Sequence, residues 1–230
     1  MGKRLVSIIL VLAVLFAASE LFLPMVMSNT VNQGLANLTG SSQTSTKLTA
    51  RPAVMMLGGK LDTMQITAQN AKIDKVTFSE MKIAATNAQV DMGKLISEGV
   101  VALQSVEDVN IIAVVGQDEL AQYLNQSVKG IKNSAVVITP EKIKASSTFA
   151  IGGFANVAVS LEGRIVSDGQ TVKFITDKIL INNALTGNIG GALFTEIPLL
   201  DVTKLPFHVT ARDIVMENGK VTLYLDNRPQ

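Results

Sequence analysis

The residues able to do acid–base, nucleophilic or metal chemistry are few in this chain. His208 is the only histidine among 230 residues, and cysteine is absent. One imidazole without thiolates cannot complete the ligand set of a usual zinc site. A Ser-His-Asp triad is formally possible, but the G-x-S-x-G elbow that presents a nucleophile is missing. Asp74, Glu80, Glu162 and Asp168 fall at the ends of expected strands, where carboxylates are solvated or block edge pairing. Gly152-Gly153 and the glycines of residues 187–191 match neither the dinucleotide fingerprint nor the phosphate loop, and they read as turns. No calcium loop is present. The expectation is a chain with no catalytic residues, no metal site and no cofactor, hence not an enzyme, with His208 a surface or structural side chain.

What remains is apolar chemistry. Hydrophobic residues make up 47% of the chain and mean hydropathy is +0.34. Net charge is +1, aromatic residues are 4% and tryptophan is absent. Neither a basic field nor stacking platforms favour nucleic acid as a partner. Near neutrality also means that binding to a lipid surface would rest on apolar burial and depend weakly on salt.

The elements that must position this apolar surface begin with the N-terminus. Lys3 and Arg4 precede an apolar run over residues 5–18; Ser19 and Glu20 interrupt it, and Leu21–Leu23 resume it before Pro24. A basic start, an apolar stretch and the small residues Ala17-Ala18-Ser19 make the pattern of an export signal. Residues 5–23 are also nearly long enough to cross a bilayer and so to stay as an anchor. Lys3 and Arg4 then remain inside, and the rest of the chain lies outside the cytoplasm. The division expected is a signal peptide or membrane anchor over 1–23, an amphipathic helix and polar linker over 24–50, and a single domain over 51–230. Val31, Leu35 and Leu38 give the second helix its spacing, and residues 40–49 (GSSQTSTKLT) read as a linker or exposed loop.

From Val54 onward the period changes to two. Met64, Ile66 and Ala68 alternate with polar residues, and phase slips mark turns or bulges near Asp74-Lys75 and Ser79-Glu80. One amphipathic helix interrupts the strands over 117–132. Leu120, Tyr123, Leu124 and Val128 share a face, Asp118 and Glu119 open the helix, and Gly130 is its expected C-cap. Strand pattern then resumes. Thr139-Pro140 and residues 167–170 read as turns, residues 187–191 as a flexible break, and the prolines of residues 197–207 as chain crossing an end of the sheet. Asn218-Gly219 closes a final hairpin. The fold class is therefore α+β: a strongly curved antiparallel sheet wrapped around one or two helices, preceded by the N-terminal helix.

Four stretches carry a family resemblance: Leu57-Gly-Gly-Lys-Leu-Asp62 leading into Met64; Ile73-Asp-Lys-Val-Thr-Phe78; Gln117-Asp-Glu-Leu-Ala-Gln-Tyr-Leu124; and Ile197-Pro-Leu-Leu-Asp-Val-Thr-Lys-Leu-Pro-Phe207. In this order, behind an export signal, they resemble the LmeA-like family of bacterial phospholipid-binding envelope proteins. The resemblance covers about residues 57–225. It implies an extracytoplasmic protein that binds phospholipid, with a fold similar to the tubular lipid-binding proteins, and it offers no catalytic residues. An apolar groove for acyl chains is then expected, with Ile66, Val76, Phe78, Ile83, Leu120, Tyr123, Leu124, Phe149, Val159, Phe174, Leu200 and Phe207 as its candidate lining. The partners expected are phospholipid and, through the N-terminal segment, the membrane; no protein partner can be named. Two alternatives stay open: an envelope structural or interaction protein with a fully packed core and a protein partner, and, against the absence of catalytic motifs, an envelope enzyme using His208 or an acid pair.

Overall fold

The computed structural model describes residues 2–41, 43–151, 155–182, 184–185, 195–205 and 207–229. The expected breaks at Gly152-Gly153 and residues 187–191 lie outside the described residues. The chain forms two compact units, one of residues 1–67 and 83–109, the other of residues 68–82 and 110–230. Two long strands, β2 (Lys60–Ile73) and β3 (Val76–Val90), give one half to each unit.

The first unit is built on α1 (Gly2–Thr39), a continuous helix of 38 residues. Two helices broken at Pro24 are the sequence expectation. Proline removes the hydrogen bond to the carbonyl four residues back, yet the helix runs on because its later turns are packed. Met27 and Val31 are buried, and a Cβ on Gly34 would lie 2.6 Å from the Gly99 carbonyl oxygen. The expected linker is also a correction. Residues Gln43–Thr49 form strand β1 beside β2. Its one large apolar side chain, Leu48, is buried, and the Thr49 and Thr63 hydroxyls meet at 2.6 Å. Threonine favours extended chain even where polarity resembles a loop. The 3-10 turn η1 (Ala53–Gly58) joins β1 to β2, and Gly59 closes it at φ +82. Helix α2 (Met92–Glu98) starts at Asp91, whose carboxylate accepts the Lys94 N–H at 3.0 Å. That bond holds the Asp91 carboxyl below its usual range. The short strand β4 (Leu103–Ser105) pairs with β3.

The second unit holds two antiparallel sheets. In one, the outer halves of β2 and β3 are followed in order by β5 (Asp108–Gly116), β13 (Lys220–Asp226) and β12 (Thr210–Glu217). The turn between β2 and β3 falls at Asp74-Lys75, with Asp74 at φ +55. β3 continues through Ser79-Glu80 as strand, and its burial phase shifts there, between Phe78 and Met81. Asn218-Gly219 makes the closing turn, with Glu217 opposite Lys220. The Gly219 N–H donates to the Ile138 carbonyl at 3.0 Å, and the Gly219 carbonyl accepts the Gln117 N–H at 3.1 Å.

The other sheet is a strongly curled half-barrel. It runs β10 (Ala184–Leu185), β9 (Thr171–Ile181), β8 (Ala155–Ser167), β7 (Ile143–Ile151), β6 (Ile131–Ile138), and β11 (Glu196–Asp201) also pairs with β9. The first part of the proline-bearing stretch, through Asp201, thus joins the sheet as a strand rather than crossing its end, and Pro206 lies outside the described residues. Pro198 has no N–H to give, and the register shifts between Pro198 and Leu200, the bulge that accommodates it. Helix α3 (Gln117–Ser127) packs against β6.

One ionic cluster closes this unit. The Asp226 side chain is 3% exposed, accepts Arg212 Nε at 2.7 Å and Arg228 Nε at 2.7 Å, and also accepts the Arg228 backbone N–H. Burial by itself raises the carboxyl; the Arg228 and Arg212 guanidiniums outweigh it and hold the group below its usual range. With the folded value depressed, the unfolded chain binds more protons between the two values. The stabilisation is therefore complete above the ordinary carboxylate range and is lost as pH falls through the folded value. Asp226→Asn is expected to flatten the acid limb of stability against pH, measured by denaturant melts between neutral and acidic pH. An unchanged slope would remove Asp226 as a source of acid sensitivity.

Candidate functional site

Helix α3 positions the site. Gly116 precedes it in extended conformation, and Asp118 and Glu119 occupy its first turn, where carboxylates favour the exposed N–H groups. The Glu119 carboxylate folds back so closely that a Cβ on Gly116 would lie 2.4 Å from Oε2. Leu120, Tyr123 and Leu124 are buried on one face, as their spacing predicts. The C-terminus differs from expectation. The helix ends at Ser127 with Val128 as an extended cap, so Lys129 and Lys132 lie beyond it. Gly130, at φ +88, has another task. A Cβ there would lie 2.7 Å from Phe149 Cε2, so the bare backbone seats the aromatic ring.

Two spaces adjoin this helix within the second unit. The inner one is a small apolar void of about 20 Å³ in the seam between the sheets. Val76 and Phe78 of β3, Leu120 of α3 and Leu200 of β11 face it, with Ile165 and Val172. Its volume is near that of a single water, and its walls offer no polar partner to hold one. The outer one is an open pocket of about 320 Å³, at the lower end of ligand-site volumes. Tyr123, Val128, Phe149, Ile197 and Pro198 make its apolar wall. Lys75, Lys129 and Glu196 stand around it, all three exposed.

Tyr123 belongs to the outer pocket. Its hydroxyl donates to the Pro198 carbonyl, tying α3 to β11. Burial raises the phenol above its ordinary value; the Ser127 hydroxyl beside it counteracts this, and the Asp74 carboxylate adds to it. The phenol therefore stays protonated as a donor. Glu196 lies 3.7 Å from Lys173, which also approaches Asp168 at 3.5 Å. Among the described residues, neither Lys75 nor Lys129 is held in an ion pair within 4 Å of a carboxylate.

The structure distributes the candidate lining as follows. Val76, Phe78, Leu120 and Leu200 meet at the inner void, and Tyr123 and Phe149 at the outer pocket. Leu124, Val159 and Phe174 are buried in the second unit but line neither space. Ile66 and Ile83 are buried in the first unit. Phe207 is half-buried, with φ +98, and His208 beside it is exposed at φ +50. Sequence pattern does not bring Lys75, Lys129, Glu196, Ile197 and Pro198 together as one site. They come from a turn, a helix exit and an edge strand far apart in sequence, and no period links them. Among the described residues, no three His, Cys, Asp or Glu side chains gather as a metal site would require.

An open pocket with an apolar wall, and with two lysines and a glutamate at its rim, thus lies beside a curled antiparallel half-barrel. The chain belongs to the LmeA-like phospholipid-binding family, whose model matches residues 19–226. That family is described by binding rather than by catalysis. Comparison with curated proteins and with solved structures gives no match.

Proposed function

We propose that this chain is an extracytoplasmic phospholipid-binding protein of the bacterial cell envelope, holding acyl chains in an apolar groove for lipid handling or envelope maintenance. Residues 5–23 export it and can keep it anchored, with Lys3 and Arg4 on the cytoplasmic side. The observation that carries the reading is the outer pocket of about 320 Å³, apolar in its wall and bordered by Lys75 and Lys129. A phosphate would sit between those cations, and a chain would pass Tyr123, Phe149 and Ile197 toward the seam at Phe78 and Leu120. The seam must widen to admit it, because the void there is only about 20 Å³. Parting α3 from β11 at the Tyr123–Pro198 hydrogen bond would open the way. Each methylene moved from water contributes about 0.8 kcal/mol, so chain burial outweighs headgroup contacts.

The small void is also the observation that favours the second reading, an envelope structural or interaction protein with a packed core. Native mass spectrometry of protein purified without detergent separates the two. Co-purifying phospholipid is expected. Lys75→Ala/Lys129→Ala is expected to weaken its binding by about thirtyfold, since each surface cation adds about 1 kcal/mol toward an anionic lipid. Lipid bound equally by the variant would move the headgroup elsewhere. No lipid in any preparation, and no binding to vesicles at low or high salt, would leave the packed-core protein.

A further inference from the structure

We propose that η1 is a membrane-inserting wedge: Val54, Met55 and Leu57 enter the outer face of the same bilayer that α1 crosses. The inference rests on α1 being retained in the membrane and concerns the first unit alone. Helix α1 has the length and composition to span a bilayer. A hydrocarbon core of about 30 Å takes about 20 helical residues. Counted from Leu5, the outer boundary then falls near Pro24 or Met25. Leu21, Phe22, Met25 and Val26 are all more than half exposed, so the helix surface is still apolar at that depth.

The turn η1 is fastened about one helical turn to the hydrocarbon side of this level. The Ala53 N–H donates to Glu20 Oε1 at 2.8 Å. Ala53 and Met56 are buried and root the turn in the unit, while Val54, Met55 and Leu57 point out at 40, 46 and 59% exposure. Three large apolar side chains in one short exposed turn are unexpected on a surface that faces only water. Arg51 and Lys60, both exposed, flank the turn, as cations do at the level of lipid phosphates. The Glu20 contact sets the height of the turn against the helix, so the wedge and the apolar part of α1 share one boundary. A bilayer is the occupant chosen because the patch continues the apolar surface of α1. A second copy or another protein could cover the turn without that continuity.

The absence of cysteine from the sequence makes the test direct. Met55→Cys, Ile96→Cys and Val14→Cys are made singly in the full chain, labelled with an environment-sensitive fluorophore and reconstituted in phosphatidylcholine–phosphatidylglycerol vesicles. Some vesicles carry acyl-chain-brominated lipid as a quencher. Ile96 is the reference because it is 76% exposed and lies on α2, whose C-terminal end meets α1 at Gly34. From Glu20 to Gly34 the helix rises about 21 Å. The label at position 55 is expected to shift to shorter wavelength and lose most of its emission to brominated lipid, while that at 96 stays aqueous. The label at 14 reports the anchor itself. Quenching at 14 without quenching at 55 overturns the wedge and leaves the anchor. Quenching at neither site overturns both. A blue shift at 55 that brominated lipid does not quench, and that grows with protein concentration, assigns the turn to a second copy and likewise overturns the wedge.

Discussion

Gly163→Ala is expected to prevent the second unit from folding cooperatively. A Cβ at this position would lie 2.0 Å from the Ile175 carbonyl oxygen, 2.9 Å from its carbonyl carbon and 3.0 Å from Phe174 Cζ. The nearest obstacle is backbone, which cannot rotate aside as a side chain does. β9 is also held from both flanks there: Ile175 pairs with Arg164 of β8 and with Glu196 of β11. The register of β8 and β9 shifts between Glu162 and Gly163, so the close approach is built into the bend of the curled sheet. Displacing β9 disrupts two ladders at once. The cost is on the order of 4 kcal/mol or more, in the range reserved for strain within a packed framework. Circular dichroism and denaturant melts measure it. Gly58→Ala is the control, because nothing lies within 4 Å of its Cβ position. A Gly163→Ala protein that melts within about 1 kcal/mol of the parent would mean that β8 and β9 separate readily.

Gly163 also marks where sequence pattern stops. It falls in step with Val157, Val159, Leu161 and Ile165, so alternation alone makes it one more inward residue. Only the pairing of β8 with β9 reveals that another backbone fills the space. Alternation identified the long strands because their two faces meet different media, and Asn218-Gly219 identified its turn because glycine takes the φ of +83 found there. β1 escaped because QTSTKLT alternates too little hydrophobicity to register. The continuity of α1 escaped because proline is a local signal, whereas Met27 and Val31 are held by packing that only the folded unit supplies.

The site was legible by residue class and not by place. Phe78 and Leu120 are apolar residues on inward faces and Leu200 is apolar in a stretch expected to cross the sheet's end, and the three meet at one void. Ile66 and Ile83 are equally periodic and serve the other unit. Periodicity tells which face of a strand is buried, not what lies opposite it. Phe174 illustrates the difference. A tryptophan there would press on Gly163 and its neighbouring backbone, so its first effect is overpacking, costing about 1–3 kcal/mol, before any effect on a ligand. Phe78 is the better probe of the seam.

Phe78→Ala is expected to destabilise the second unit by about 3–5 kcal/mol and to return part of that loss when phospholipid is added. Phe78 is 1% exposed on β3 and faces the inner void with Leu120 and Leu200. Truncation removes the transfer free energy of a ring and leaves a cavity that the two sheets only partly close. Without lipid, the melting temperature should fall by roughly 10 °C. The enlarged space is dry and lined by aliphatic side chains, the surroundings an acyl chain prefers. A ligand that binds only the folded form stabilises it in proportion to the logarithm of its excess over Kd. Phospholipid should therefore raise the melting temperature of Phe78→Ala more than that of the parent. Val136→Ala is the control: Val136 is 6% exposed on β6 and does not line the void, so its loss should not be recovered. The melts are run with and without vesicles. Equal recovery by the two variants would separate the seam from the lipid site and confine binding to the outer pocket at Tyr123 and Phe149. A larger recovery by Phe78→Ala would join the two spaces into one groove that opens when α3 and β11 part.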